Sequence, residues 1–310
     1  MNGTECTKTQ IAKKLGVSRA SLYYKHQLPA KDEALRREIE ALMMENPGYG
    51  SPRVAIALCI NEKRAARVMK KFGLKPARRA KTPHKPLDVG REDLKRPNIL
   101  SKLSAIAPNV VWVSDFTFIE YAGQFVYLCT VLDLFTGEVL GFNIARRHTA
   151  GFVKLAVERA MRKTGGVLPE YFHSDQGSEY ASATIADWLE SVGVTISMNP
   201  KGSPWCNGSQ ESFFGRFKVE FGEFDRFETF ADLLEALYSQ LHYFSNIRIK
   251  TKLRMSPAEF RQQWQDRNLQ LLTDINSYSH VMSLPPDPPH PRCERSVMET
   301  TVADSSSNYY

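Results

Sequence analysis

Nowhere in the chain does an apolar run approach the roughly 18 residues that a bilayer-spanning helix needs. The opening MNGTECTKTQIAKK also lacks the apolar stretch of a secretory leader, so a cytosolic location is expected. Cysteine is sparse. Cys6, Cys59, Cys129, Cys206 and Cys293 stand singly, with no C-x-x-C pair and no histidine pair at zinc-finger spacing. That excludes a zinc module and leaves reduced, structural thiols. No internal repeat is visible. Acids are scarce between Lys63 and Arg96, where Asp88, Glu92 and Asp93 face thirteen Lys and Arg residues. Such a local field favours a polyanionic partner over a neutral one.

What is present is ordinary for a folded protein. Hydrophobic residues are 42% of the chain and charged ones 24%, and the net charge is +7. At 310 residues the length predicts two folded units with appendages.

Residues 1–28 read as a helix-turn-helix segment. Ile11, Ala12 and Leu15 lie at helical spacing, Gly16 supplies the turn, and Ser18 caps a second helix. Ser18, Arg19, Ser21 and Tyr24 would then meet a DNA groove, the alternative being a plain helical hairpin. Residues 29–80 form a basic helical DNA-binding unit. Leu35, Ile39, Leu42 and Met43 make one apolar stripe, PGYGSP breaks it, and a further helix follows over 53–60. Asn61 then caps a helix whose basic face is Lys63, Arg64, Arg67, Lys70 and Lys71, with Ala66, Val68, Met69 and Phe72 for packing. Of these, Arg64, Arg67 and Lys71 are singled out for DNA contact. Residues 81–106 are a basic, proline-rich linker, and 271–310 a Pro- and Ser-rich tail without a pattern that could bury a face.

Over 107–225 the periodicity changes. VVWVSDFTFI, FVYLCTVLDLF and EVLGFNIA are β-branched and aromatic runs separated by turn residues, which predicts three antiparallel strands. A helix capped by Thr149, the strand YFHSD, a helix over 183–192, the strand VTISM and a helix over 209–220 complete a βββαβαβα string. That order fits an α/β fold of ribonuclease H-like type, a five-stranded mixed sheet with flanking helices. Residues 226–270 read as a helical and basic extension.

Three acids gain meaning from this string. Asp115 lies inside the first strand, where an ionised carboxylate is costly unless paired or metal-bound. Asp175 follows the fourth strand, and Glu211 lies early in the last helix, with thirty-five residues between the two. Singly each has a bland reading: an exposed strand residue, a turn residue, a solvated helix residue. Together they lie on elements whose ends converge on one edge of such a sheet. Carboxylates are hard ligands suited to Mg²⁺ or Mn²⁺, and two such ions can drive an in-line phosphoryl displacement.

The strings PNVVWVSDFTFI, LCTVLDLFTGEVLGF, HSDQGSEY, KGSPWCNGSQESFFGRFKVE and NIRIKTKLRMSPAEF resemble the insertion-sequence transposases of the IS-three family, orfB type. Those proteins belong to the integrase-core superfamily and share a two-Asp, one-Glu pattern. The resemblance covers about residues 30–262. It implies a DNA transposase that binds the terminal inverted repeats of its element and cleaves and joins DNA with two Mg²⁺ or Mn²⁺ ions. Asp115, Asp175 and Glu211 would be the catalytic metal ligands, Asp115 in the bridging role. Double-stranded DNA, both element ends and target, is the implied partner, with a homo-oligomer in the synaptic complex and a nucleoid-associated bacterial setting. Whether the chain acts alone or with an upstream-frame protein, as fusion or regulator, stays open.

Two positions depart from many relatives: Cys206 stands where an Asp precedes the loop Asn, and Lys250 where a His is found. Lys201, Asn207, Lys218 and Lys250 are candidates to grip DNA near the site. Arg248, Lys250, Lys252 and Arg254 form either a phosphate strip or a wet edge strand. His173 either supports Asp175 or a phosphate, or is structural. Asp133 reads as structural, as does Glu179 unless it joins the metal site. The competing functional readings are a DNA-binding regulator with a vestigial core and a nuclease acting on RNA–DNA hybrids. The intact triad argues against the first, and the basic front and the 35-residue interval against the second.

Overall fold

A computed structural model describes residues 7–23, 28–78, 96–100, 103–180, 182–199 and 208–277. Residues 1–266 make one compact unit. Of a second, 267–310, the described part is the last turns of a helix.

The first helix, α1 (Lys8–Leu15), is closed at its front by a Thr7/Gln10 capping box and at its end by Gly16 in the left-handed region. Ile11 and Leu15, expected to pack, are exposed, and only Ala12 is buried. The expected second helix of this segment is a 3-10 turn over Arg19–Tyr23, with Ser18 Oγ accepting from the Ser21 amide.

Three helices then enclose a small core of Leu35, Ile39, Tyr49, Val54, Ala65 and Val68: α2 (Leu28–Glu45), α3 (Ser51–Ala57) and α4 (Glu62–Lys71). Asn61 caps α4 as expected, its side chain accepting from the Lys63 amide at 2.8 Å. The inward small residue is Ala65, fully buried, whereas Ala66 is exposed; Ala65 shares the inner face with Val68 and Met69, three and four positions on.

The sheet has the order β3-β2-β1-β4-β5. Its members are β1 (Val111–Tyr121), β2 (Gln124–Asp133), β3 (Val139–Ala145), β4 (Tyr171–Ser174) and β5 (Thr195–Met198). The first three pair antiparallel through tight turns. The last two pair parallel, β4 on β1 and β5 on β4, as connections through α5 (Ala150–Lys163) and α6 (Ala183–Ser191) demand. This is the ribonuclease H-like arrangement. Strand alternation divides the core in two. Trp112, Val131, Leu140 and Phe172 meet α5 and α6, while Val111, Val113, Leu128 and Leu132 meet α7 (Gly208–Phe221) and α8 (Phe230–Asn246). The aromatic ladder Phe213, Phe217 and Phe221 on α7 supplies much of the second core, since each such ring removes about 150–250 Å² from water.

The helical region 28–78 is joined to this core by polar contacts. Tyr49 Oη accepts from the Ile249 amide at 2.8 Å, Tyr243 Oη and Asn46 Oδ1 lie 2.9 Å apart, and Arg53 donates to the Ile249 carbonyl at 2.8 Å. A side chain at Gly48 would collide with the Glu220 carboxylate, so only glycine permits this approach. The final helix, α9 (Pro257–Ser277), starts under Ser256, whose hydroxyl accepts from the Glu259 amide, and runs seven residues beyond the expected end of the folded part at 270. Residues 278–310 lie outside the described ones.

Candidate active site

Period-two alternation sends residues 111, 113 and 115 to the α7 side of β1. The parallel ladder pairs Val113 with His173 and ends there. Continued by two residues, that register sets Asp115 level with Asp175, at the point where β4 stops and its neighbours part. Asp115 therefore faces the helix whose first turn carries Glu211, and Asp175 follows directly on the adjacent strand β4.

Gln210 fixes the first turn of α7 against the sheet. Fully buried, it donates through Nε2 to the Val113 carbonyl at 2.7 Å and to the Thr130 carbonyl at 3.3 Å, while its Oε1 accepts from Thr130 Oγ1 at 3.1 Å. Thr130 is the β2 partner of Asp115. The glutamine thus ties the residue before Glu211 to the strand position beside Asp115. Sequence reasoning missed it, although its place next to Glu211 in a helix start was the available signal.

Asp115 accepts a hydrogen bond from the Phe116 amide at 2.8 Å, and among the described residues no cation reaches it. Burial, then the nearby charges of Asp175 and Glu211, push its carboxyl up to about 7. Asp175 is also raised, by burial first and then by Glu179, although the Gly177 amide donating to it at 3.0 Å opposes the shift. Glu211 is exposed. Asp175 and Glu211 both act electrostatically on Asp115, but among the described residues no three His, Cys, Asp or Glu side chains come close enough to enclose a metal ion.

Behind Asp115, Ser114 Oγ lies 2.9 Å from the buried Tyr180 hydroxyl, within reach of Cys129. Burial raises both the tyrosine and the thiol, which keeps this wall neutral. Glu179 is hydrogen-bonded to His148 and to Ser178, and His148 stacks on Phe116, so Glu179 braces the far side of the strand. His173 is buried with Nδ1 2.9 Å from Ser197 Oγ, and desolvation lowers it to about 4, a neutral ring inside the sheet. Asp133 accepts from the amides of Asn109 and Thr136, a structural role as expected.

The basic candidates separate into engaged and open ones. Arg67 grips the buried Asp32 carboxylate through two bonds at 2.6 and 2.7 Å and Lys71 adds a third at 2.9 Å, so both tie α4 to α2. The pair holds the Asp32 carboxyl well below the usual range. Arg64 and Arg19 are exposed. Lys218 Nζ donates to the Phe118 carbonyl at 2.8 Å and sits over the Phe118 ring. The basic segment after α8 is not an edge strand. A Lys250–Met255 bridge folds it into a tight turn, and Arg248 is buried on Glu220, because the chain must reverse into α9. Lys250 points beneath the β2–β3 turn, toward the Thr136 carbonyl at 3.4 Å. Lys201 and Asn207, with Trp205 and Cys206, lie outside the described residues.

Comparison with known proteins finds a family model described as integrase core domain over residues 105–204, and a second of the same description over 211–264. The InsK protein of insertion sequence element IS150 from Escherichia coli K12 is 31% identical over 80% of this chain and 90% of its own length. The transposase for insertion sequence element IS904 from Lactococcus lactis is 30% identical over 76% of this chain and 98% of its own. Among solved structures, the catalytic core domain of HTLV-2 integrase is similar at a TM-score of 0.43 and 18% identity, over 51% of this chain and 99% of that one.

Proposed function

This chain belongs to the insertion-sequence transposases with an integrase core domain, and we propose that Asp115, Asp175 and Glu211 are the carboxylates with which it cleaves and joins DNA. Cores of this family are polynucleotidyl transferases that depend on divalent metal. The observation that carries the assignment is Asp115, a carboxylate on the central strand with no cation beside it among the described residues and two further acids bearing on it. Holding a carboxyl up to about 7 costs the fold on the order of 3–4 kcal/mol relative to water. A bound cation removes that cost, which is the fit expected of hard oxygen ligands.

We infer two Mg²⁺ or Mn²⁺ ions, with Asp115 shared between them and Asp175 and Glu211 each serving one. Bound there, they supply positive charge to the phosphoryl group in transfer. In the reaction proposed, water attacks the phosphodiester at the element's end and the bond to the flanking strand breaks. The freed 3′ hydroxyl then attacks a phosphodiester of the target, releasing another 3′ hydroxyl. No residue is acylated or phosphorylated on the way. The protein's own contribution is positional: Gln210 holds the start of α7 against β1, and the Gly177 amide orients Asp175.

For DNA contact we propose Arg19 and Arg64 from the helical region and Lys201, Asn207, Lys218 and Lys250 around the core. Arg67 and Lys71 share the charge of Asp32 and contribute a weakened field. Oligomerisation follows from the need to bring two element ends together, and an upstream-frame protein remains a candidate partner. A regulator with a vestigial core is the second reading, and the open arrangement of the three acids is what favours it. Joining of short duplexes bearing the element's ends, with Mg²⁺ and with Asp115→Asn, Asp175→Asn and Glu211→Gln, separates the two. A wild-type chain that binds but never joins supports the regulator. Variants that join as well as the wild type would sink the assignment of these carboxylates.

A further inference from the structure

At the N-terminal end of the Phe ladder, where Phe213 and Phe244 form part of its wall, a cavity of about 630 Å³ lies between the β2–β3 turn, the first turns of α7 and the turn that follows α8. Arg53, Arg216, Arg248, Lys250 and Lys252 line it, and the acid in its wall is Asp133. That carboxylate is already committed to the amides of Asn109 and Thr136 and the Thr136 hydroxyl. A second cavity of about 450 Å³ shares Arg53, Ser212, Arg216 and Arg248 with the first and runs past Glu211 to Arg78. The two form one basic trough along α7.

Among the described residues most of these cations form no ion pair, although Glu220 bears on Arg53 and Arg216 and Asp133 on Lys250. Arg248 is neutralised by Glu220, with Nε donating at 2.7 Å, but among the described residues Arg53 donates only to the carbonyls of Ile249 and Gly48, and Lys250 only to that of Thr136. Among the described residues Arg216 has neither a hydrogen bond nor an ion pair. Their mutual repulsion registers on Arg53, Arg216 and Lys250. Burial and then Arg248 lower Arg53 and Arg216, and burial followed by Arg216 and Arg248 lowers Lys250 to about 8. Room is made for the lysine at some expense, since a Cβ at Gly137 would fall 1.5 Å from its Nζ, and Gly137 also has a φ of +68°. A fold gains nothing by crowding cations around a wet cavity unless an anion completes the site.

We propose that this trough seats a phosphodiester of the DNA strand, held jointly by Arg53 from the helical region and by Arg216 and Lys250 from the core. This rests on the transposase reading above. Arginine forks match phosphate oxygens in pairs, and a trough longer than one phosphate fits a strand better than a free anion. Because Arg216 is five residues beyond Glu211 on the same helix, a seated strand bridges the helical region and the catalytic helix.

The test uses the full chain and a labelled duplex of arbitrary sequence, with affinity measured against KCl concentration. Arg216→Gln and Lys250→Met should each bind roughly tenfold more weakly and lower the log–log salt slope by about 0.9, while Lys250→Arg keeps the wild-type slope. Inorganic phosphate should raise the melting temperature of the wild type more than that of Arg216→Gln. Neutral variants with the wild-type slope and affinity overturn the proposal. So does phosphate protection that depends on Arg216 while duplex binding does not, a free-anion seat. If the wild type binds no duplex at all, the transposase reading itself falls, a result distinct from variants that merely match a competent wild type.

Discussion

Glu220 and Arg248, each 3% exposed, hold each other through two hydrogen bonds, whereas Asp115 is held by a single backbone amide and raised by two further acids. The same contrast recurs across the molecule. Asp32 has Arg67 and Lys71, and Glu138 has Lys163 and Arg261, in places that tie helix to helix or strand to helix. Along α7 the pairing is incomplete twice among the described residues, with Asp115 lacking a cation at one edge and Arg53, Arg216 and Lys250 lacking ion pairs in the trough. Paired buried charge keeps this fold in register, and unpaired buried charge marks where ligands of the opposite sign belong.

The largest break in that contrast is chemical. Asp115→Asn should reduce strand joining by at least about a thousandfold while leaving duplex affinity within about twofold, read by gel assay and anisotropy. It also changes stability. With its folded carboxyl near 7, metal-free Asp115 binds a proton that the unfolded chain has released, so its contribution weakens as pH rises from about 4 to 7. Wild-type melting in chelator should therefore fall over that window more steeply than that of Asp115→Asn. Mg²⁺ at pH 8 should raise the melting temperature of the wild type and not of the variant.

Breaking a paired charge comes next. Glu220→Gln leaves Arg248 buried without its partner and should cost about 3–5 kcal/mol in denaturant unfolding. A loss below about 1 kcal/mol would remove the distinction between structural and ligand-seeking charge.

A smaller effect of opposite sign is expected in the trough. Lys250 is faced by Arg216 of α7, by Asp133 and Thr136 of the β2–β3 turn, and by Arg248 and Lys252 of its own segment. Its folded amine near 8 binds fewer protons than the unfolded one between about pH 8 and 10, so the penalty is full at neutral pH and disappears as pH rises through that range. Lys250→Met should accordingly gain about 1–3 kcal/mol at pH 7, and almost nothing near pH 10.

The smallest concerns the helical region. Asp32→Asn frees Arg67 and Lys71, and should strengthen duplex binding by less than about tenfold with a steeper salt slope. An unchanged slope would take that face of α4 out of the interface. The same variant should be less sensitive than the wild type to acid, because a carboxyl held low contributes stability that disappears as pH falls.

Much of this was legible beforehand where the physics is local. Asn61, Thr149 and Ser256 announce helix starts, and each was found capping by its side chain. Alternation in VVWVSDFTFI predicts a strand, and parity alone puts Asp115 opposite the face that carries Trp112. Other features were out of reach. Ala65 rather than Ala66 turns inward because the small core around Val68 and Met69 decides the rotation of α4. Arg67 and Lys71 read as an open basic face until Asp32, thirty-five and thirty-nine residues earlier in the chain, is brought beneath them.

The sequence by itself determined the order of elements, and through it the strand and helix starts that carry Asp115, Asp175 and Glu211, because caps, turns and strand alternation act between near neighbours. Which charges are spent and which stay open was decided only by the tertiary structure. Arg248 and Lys250, two residues apart, end in a buried ion pair and an unneutralised cavity respectively. That difference depends on α7, α8 and the β2–β3 turn packing together, and electrostatic energy is set by distance and burial rather than by separation along the chain.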